Sequence, residues 1–346
     1  MRTAFSRGAF QGMLSILSLL LVGLAQAAEP AVIARVTFPG EPLKPAFKLT
    51  VENVIRAVFR EPLMRKASGP EVLHIEILLD RIKFSPGEID SVFGANLAQT
   101  VIAYRRAKGL PLEPVVDETV WNLLHQDPGP LFVDYTITRA DTAGPFVEIP
   151  TGMVAKSSLK RMSYASVAEM LGEQFHINPK ILMVLNPGKV FETGTVITVP
   201  NVKTPPPPRP ASLCINGTDL TLQGLDAAGH ILMSYPVSVG SKRDPLPVGQ
   251  WQITAVKWNP VYSYDSIHFW DAQGPRPRAR IAPGPNNPVG AVWIALTKNH
   301  FGIHGTPSPA SIGKGQSHGC IRLTNWTAAE LASVVGLKLN VVLKAE

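Results

Sequence analysis

The sequence predicts a multidomain protein in which a mainly β C-terminal domain, a β-sandwich with one late helix, follows small α-helical and α+β modules. Three observations predict this. Val202–Pro210 reads VKTPPPPRP, and four consecutive prolines enforce extended backbone and offer no amide donors to a sheet. Beyond that run, short alternating segments rich in Val, Ile and Trp dominate. Before it, apolar residues recur at helical spacing. A chain of 346 residues also exceeds what one core usually accommodates.

Residues 1–27 are expected to be an export signal. Arg2 and Arg7 give a basic start, Met13–Leu24 is mostly apolar, and Ala25-Gln26-Ala27 supplies a small-x-small cleavage pattern. The apolar core is short for a membrane span of about 20 residues, though an uncleaved anchor is the competing reading. Residues 28–70 receive no assignment. In residues 71–126, Ile75, Leu78, Leu79 and Ile82 mark a helix that Ser85-Pro86-Gly87 breaks. Asn96 is expected to cap a second helix carrying Leu97, Val101 and Tyr104, which Gly109 ends. Asp117 opens a third through Trp121 and Leu124. Residues 127–162 read as a connecting β segment.

Residues 163–201 form a second small unit. Val167, Met170, Leu171 and Phe175 make one helical face, Pro179, Ile181, Leu182 and Leu185 a second, and GTVITVP a closing strand. The proline run 202–210 is read as a hinge. In the C-terminal domain, 211–346, TLQGLDAAGHILMSYPVSVG gives a hairpin turning at Asp226–Gly229. GQWQITAVKW, GAVWIALTKNHFGIHG and KLNVVLK add strands. Thr327 and Glu330 have the spacing of a capping box before AAELASVVG.

Apolar content of 45% and charged content of 17% describe globular material rather than a disordered chain. The formal charge is +7, of which Arg2 and Arg7 supply two. That modest excess suits work beside an anionic polymer. No basic, aromatic-interleaved run points to nucleic acid.

Chemistry concentrates in GIHGTPSPASIGKGQSHGCIRL, Gly302–Leu323. Cys320 as a nucleophile needs a base within reach, because a free thiol is mostly protonated at neutral pH. His304 ends a strand, and the glycine-rich stretch from Gly305 to Gln316 can fold back to bring Cys320 to it. His318, two residues from the cysteine, is better placed to shape the site. Gly319 lets backbone approach a substrate, so amides near Cys320 can form an oxyanion hole. Arg322 offers a planar fork for a carboxylate. Two other readings stay open at this point: a zinc site using His300, His304, His318 and Cys320, and a disulfide between Cys320 and Cys214, the only other cysteine.

The run from Ile303 to Leu323, with His304-Gly305-Thr306 and then Ser317-His318-Gly319-Cys320 followed by Arg322, resembles the signature of the L,D-transpeptidase catalytic domain, the YkuD-like family. Ala282–Gly290 (APGPNNPVG), Tyr235–Gly240 and Leu246–Trp251 are similar to other segments of that family. The resemblance implies thioester chemistry on peptidoglycan tetrapeptide stems containing diaminopimelate, with release of D-alanine and transfer to an amine. It implies Cys320 as nucleophile, His304 as base and the Gly305 carbonyl as its orienter. Ser317, His318 and Gly319 would form the site wall and oxyanion region, and Arg322 would hold a carboxylate. No metal or organic cofactor is implied; an outer-membrane lipoprotein is one possible acceptor. Trp258–Arg280 looks like an insertion whose Tyr262 and Trp270 either line the groove or pack a loop core.

The first module resembles the peptidoglycan-binding domain family through Leu79, Phe84, Gly87, Ile89-Asp90, Phe93-Gly94, Tyr104, Gly109-Leu110 and Trp121. Ser91 departs from it, standing where glycine is frequent, which puts that turn in question. The second unit is similar to a LysM module through Asn186-Pro187 and Val199-Pro200. Together the resemblances imply an enzyme held on the cell wall, and the expected export signal implies a periplasmic location. A non-catalytic wall-binding protein and an L,D-carboxypeptidase are the alternatives.

Overall fold

Pro70 stands in the first turn of a helix, where its missing amide costs nothing, and Val72–Leu79 behind it are buried throughout. The structure, a computed structural model, describes residues 48–241, 243–268, 277–314 and 319–345. The expected export signal, residues 28–47, Trp270, Ser317 and His318 lie outside the described residues. Among the described residues, no helix is long and apolar enough to cross a membrane.

Helices α1 (Val51–Ile55), α2 (Pro70–Arg81), α3 (Ala95–Ala107) and α4 (Glu118–Leu124) share a core with Phe84, Phe93 and Val116. Asp117 caps α4 by accepting the Val120 amide at 2.9 Å. Asn96 does not cap α3. Gly94 holds that position, and the Asn96 amide donates instead to the Ile312 carbonyl at 2.9 Å, far along the chain. Ser91 takes φ +65, the left-handed conformation for which glycine is usual. Its amide donates to Glu76 at 2.8 Å and its hydroxyl to the Gly69 carbonyl at 3.0 Å, which offset the strain.

Next come β1 (Phe132–Thr136), α5 (Arg139–Thr142), α6 (Met153–Lys156), α7 (Val167–Gln174), α8 (Pro179–Leu185) and β2 (Val196–Pro200). Strand β1 pairs antiparallel with β2, Phe132 opposite Pro200 and Thr136 opposite Val196. The segment 127–162 is therefore more than a connection: it gives the second unit one of its two strands. Ser166 and Asn178 cap α7 and α8.

The proline run is a strap rather than a hinge. Val202 is buried, the Lys203 ammonium lies over the rings of Phe175 and Tyr135, and the Thr204 hydroxyl donates to the Arg81 carbonyl at 3.0 Å. Pro45–Glu346 accordingly forms one compact unit.

The C-terminal domain contains β3 (Ser212–Asn216), β4 (Thr221–Leu225), β5 (Ile231–Pro236), β6 (Gly249–Trp258), β7 (Tyr262–Asp265), β8 (Arg278–Ile281), β9 (Val292–Leu296), β10 (Gly302–His304), β11 (Ile321–Arg322), α9 (Asn325–Val334) and β12 (Asn340–Lys344). Strands β7 and β8 make a separate ribbon, and the others form one sheet in the order β11-β10-β9-β6-β12-β3-β4-β5. Ser238, just past β5, exchanges backbone hydrogen bonds of 3.0 and 2.8 Å with Arg322 on β11. The two ends of the sheet therefore meet. The expected sandwich is built from a single curled sheet, with α9 packed over β9 and β10.

Thr324 caps α9, accepting the Thr327 amide at 3.3 Å, so the expected Thr327–Glu330 box does not form. Glu330 is engaged elsewhere. It pairs with Lys83 of the helical module and accepts the Tyr235 hydroxyl at 2.7 Å. Beside it, the Ser85 amide donates to the Ser234 carbonyl at 3.0 Å and the Ser234 amide to the Lys83 carbonyl at 2.9 Å.

Replacing Glu330 with Ala would leave Lys83, a residue only 8% exposed, and the hydroxyl of fully buried Tyr235 without this acceptor. The expected loss is about 3 kcal/mol, read as a lowered urea midpoint. A change under about 0.5 kcal/mol would place the pair with ordinary surface contacts.

Candidate active site

The site is built on β10 and β11, which run parallel with Ile303 opposite Ile321 and His304 opposite Arg322. Side chains alternate across a strand. Ile303 and Ile321, both fully buried, point into the core. His304 and Arg322 therefore share the opposite face, and Cys320 immediately precedes Ile321 at the start of β11. On the other side of β10, Trp293 stands opposite His304 and stacks on its ring, with centroids 5.4 Å apart and planes 16° off parallel.

His304 is 4% exposed. Its Nδ1 lies 2.7 Å from the Gly305 carbonyl oxygen. A carbonyl only accepts, so Nδ1 carries the proton and Nε2 keeps its lone pair. Burial pulls the imidazole down to about 4; the Gly305 hydrogen bond raises it, and nearby Arg322 lowers it further. The ring is neutral at physiological pH.

Cys320 is partly buried, with its sulfur 3.8 Å from the His300 carbonyl oxygen. Burial pushes the thiol up, while a hydrogen bond with the Gly302 backbone and the Arg322 charge pull it down, leaving it above its ordinary range. The resting pair is thus thiol and neutral imidazole, not thiolate and imidazolium. Such a pair can act by general-base-assisted attack, the proton leaving sulfur as the bond to carbon forms. Gly319, immediately before the cysteine, has φ +114, a conformation that L side chains rarely adopt.

Of the sequence-predicted residues, Cys320, His304, Gly305, Gly319 and Arg322 gather at this edge; Ser317 and His318 lie outside the described residues. Cys214 lies on β3, and no disulfide joins it to Cys320. Tyr262, on β7, comes close enough to Cys320 and Arg322 to feel their charges. Burial foremost, with the cysteine and Tyr264 adding and the arginine opposing, pushes it up to about 12. It belongs to the site wall.

Trp293, Ser238 and Asn325 are supports that the sequence reading missed. Asn325 is 2% exposed, and its Oδ1 accepts the Ala291 amide at 3.0 Å. Its place directly behind the IRLT run is the one local signal that pointed to it.

A curled β-sheet with one late helix thus carries a cysteine and a histidine at one edge, and a helical module precedes it. Residues 210–343 match the family model described as the L,D-transpeptidase catalytic domain, and residues 68–124 that of a peptidoglycan binding domain. The chain is 31% identical over 171 residues to the protein named L,D-transpeptidase YkuD of Bacillus licheniformis, covering 48% of this chain and 87% of that one. It is likewise 31% identical over 168 residues to the protein of that name in Bacillus subtilis, covering 48% and 85%. A crystal structure of residues 123–326 of the L,D-transpeptidase of Xylanimonas cellulosilytica aligns with 83% of this chain and 100% of that one, at 13% identity and a TM-score of 0.36.

The chain belongs to the L,D-transpeptidase family. It is an enzyme of that family with an N-terminal peptidoglycan-binding domain.

Two outcomes follow from the titration of the pair. His304 binds a proton at about 4 in the folded protein and at 6.5 when unfolded, so the unfolded chain takes up the extra proton between these values. Stability therefore falls as pH drops from 6.5 to 4, by about 3 kcal/mol from this residue. His304→Asn should flatten the pH dependence of the urea midpoint by that amount, while buried His74, also pulled down to about 4, contributes equally to both proteins. Second, in a Cys214→Ser background, iodoacetamide labelling of Cys320 should still accelerate at about pH 9. A plateau below about pH 7 would reveal a preformed ion pair instead.

Proposed function

We propose that the enzyme transfers peptidoglycan stem peptides through a thioester on Cys320. The observation that carries this is the juxtaposition at one sheet edge: His304 on β10 stands opposite Arg322 on β11, Cys320 immediately precedes β11, and the Arg322 charge acts on both. Cys320 attacks the carbonyl at the L-centre of diaminopimelate in a tetrapeptide stem. His304 Nε2 takes the thiol proton and passes it to the departing D-alanine amine, while the Gly305 carbonyl holds the ring. Backbone amides in the Ser317–Cys320 stretch hold the oxyanion, with His318 and Gly319 as the wall, and Arg322 binds a stem carboxylate.

An amine then attacks the thioester and loses its proton to His304, restoring the thiol. The acceptor is the side-chain amine of a neighbouring diaminopimelate, a lysine of an outer-membrane lipoprotein being the other amine of this kind. No metal or organic cofactor takes part.

The accessory units raise the local concentration of wall polymer at the site. The β1–α7–α8–β2 arrangement supports reading the second unit as a LysM-like module that contacts glycan. The leader pattern of residues 1–27 supports export to the periplasm.

Purified protein given a disaccharide-tetrapeptide should yield dimers lacking one D-alanine by mass spectrometry, and Cys320→Ala should abolish them. Unchanged substrate, with the Cys320 thiol shown to be free, would sink the proposal. Tripeptide without dimers would reassign the enzyme to hydrolysis.

A further inference from the structure

The backbone that orients His304 is itself held by a residue of α9. A Cβ built on Gly305 would fall 2.2 Å from Asn325 Oδ1, and one on Gly290, at φ +63, would fall 2.0 Å from the same atom. The Asn325 side chain therefore fills the notch between these glycines, while its Oδ1 accepts the Ala291 amide. Gly305 is fixed from the other side by its own amide, which donates to the Val292 carbonyl at 3.2 Å. Its carbonyl is thus aimed at His304 Nδ1 by contacts on both sides.

Asn325 is in turn gripped from outside the C-terminal domain. Its amide nitrogen donates to Glu173 Oε2 at 2.9 Å and to the Pro285 carbonyl at 3.0 Å. Glu173 lies on α7, and its second oxygen accepts the Tyr164 hydroxyl at 2.8 Å. The contact is broad: Glu169 accepts from Asn286 at 2.9 Å, and His176 stacks on Trp326, the neighbour of Asn325, at 5.2 Å. Burial pushes Glu173 up to about 7, with Glu169 adding to the push, while the donors on Asn325 and Tyr164 and the nearby His176 hold it down. A group this enclosed, with both oxygens committed, fixes the direction of the asparagine amide.

We propose that Glu173 and Asn325 are a positioning pair for His304, through which the second accessory unit sets the orientation of the imidazole. This rests on His304 acting as the base. Neither residue touches substrate. They act through Gly305, and a displacement of the ring by an ångström is enough to slow transfer on the order of 100-fold.

The test uses the full chain. Glu173→Gln places an amide against the two donors, and Asn325→Asp places a carboxylate against Glu173. Each should lower kcat on the order of 10-fold with KM little changed. The double variant E173Q/N325D reverses the direction of the hydrogen bond between the two residues and preserves the net charge, so it should recover part of the lost kcat, the Pro285 carbonyl being left without its donor. Nitrogen-15 NMR of the histidine rings supplies an independent readout. The His304 Nδ1–H signal should shift in each single variant and return in the double.

Single variants with unchanged kcat and an unchanged ring signal would overturn the proposal, as would a double variant whose losses simply add. Wild-type turnover that survives Cys320→Ala would instead overturn the reading of the site. The His304 ring signal would still report on positioning in that case.

Discussion

The parallel pairing of β11 with β10 is the constraint on which the site depends. β11 is two residues long, and a slip of one residue would turn Arg322 into the core and expose Ile321. Two things prevent it. Ile303 and Ile321 are fully buried on the inner face, so either slip would bury polar groups in an apolar cluster. Ser238 also clamps Arg322 from the free side of the strand. So short a strand keeps its register because both of its edges are occupied.

What could be read from the sequence was what is local. Asp117 opens its helix, the Asp226–Gly229 turn joins β4 to β5, and β10 ends at His304. Cys320 and His304 could be singled out as candidates because each needs only a glycine-flanked position and a strand end near it. The misreadings have a common cause. Asn96 and Glu330 look like helix-capping residues, and their polar ends are taken up by partners more than 200 positions away or in another module. Local rules count such side chains as free to serve their own helix, and tertiary contact overrides them.

Trp293, Asn325 and Glu173 were invisible for a different reason. Their placement depends on strand register and on how α7 lies against α9, neither of which leaves a periodic trace. The proline run shows the same limit: its composition correctly implies an extended segment, but not that Val202, Lys203 and Thr204 would bind it down. A polyproline segment is stiff whether it spans open solvent or lies on a surface.

The contact between Ser234 and Lys83–Ser85 has a consequence for how the molecule avoids its own kind. β5 is the last strand of the sheet, and a terminal strand offers donors and acceptors to any passing chain. Here the helical module occupies that margin through reciprocal bonds at Ser234. Cut away from the modules before it, the β domain would present that strand as a ready template for self-association. The peptidoglycan-binding module is thus also a guard of that edge.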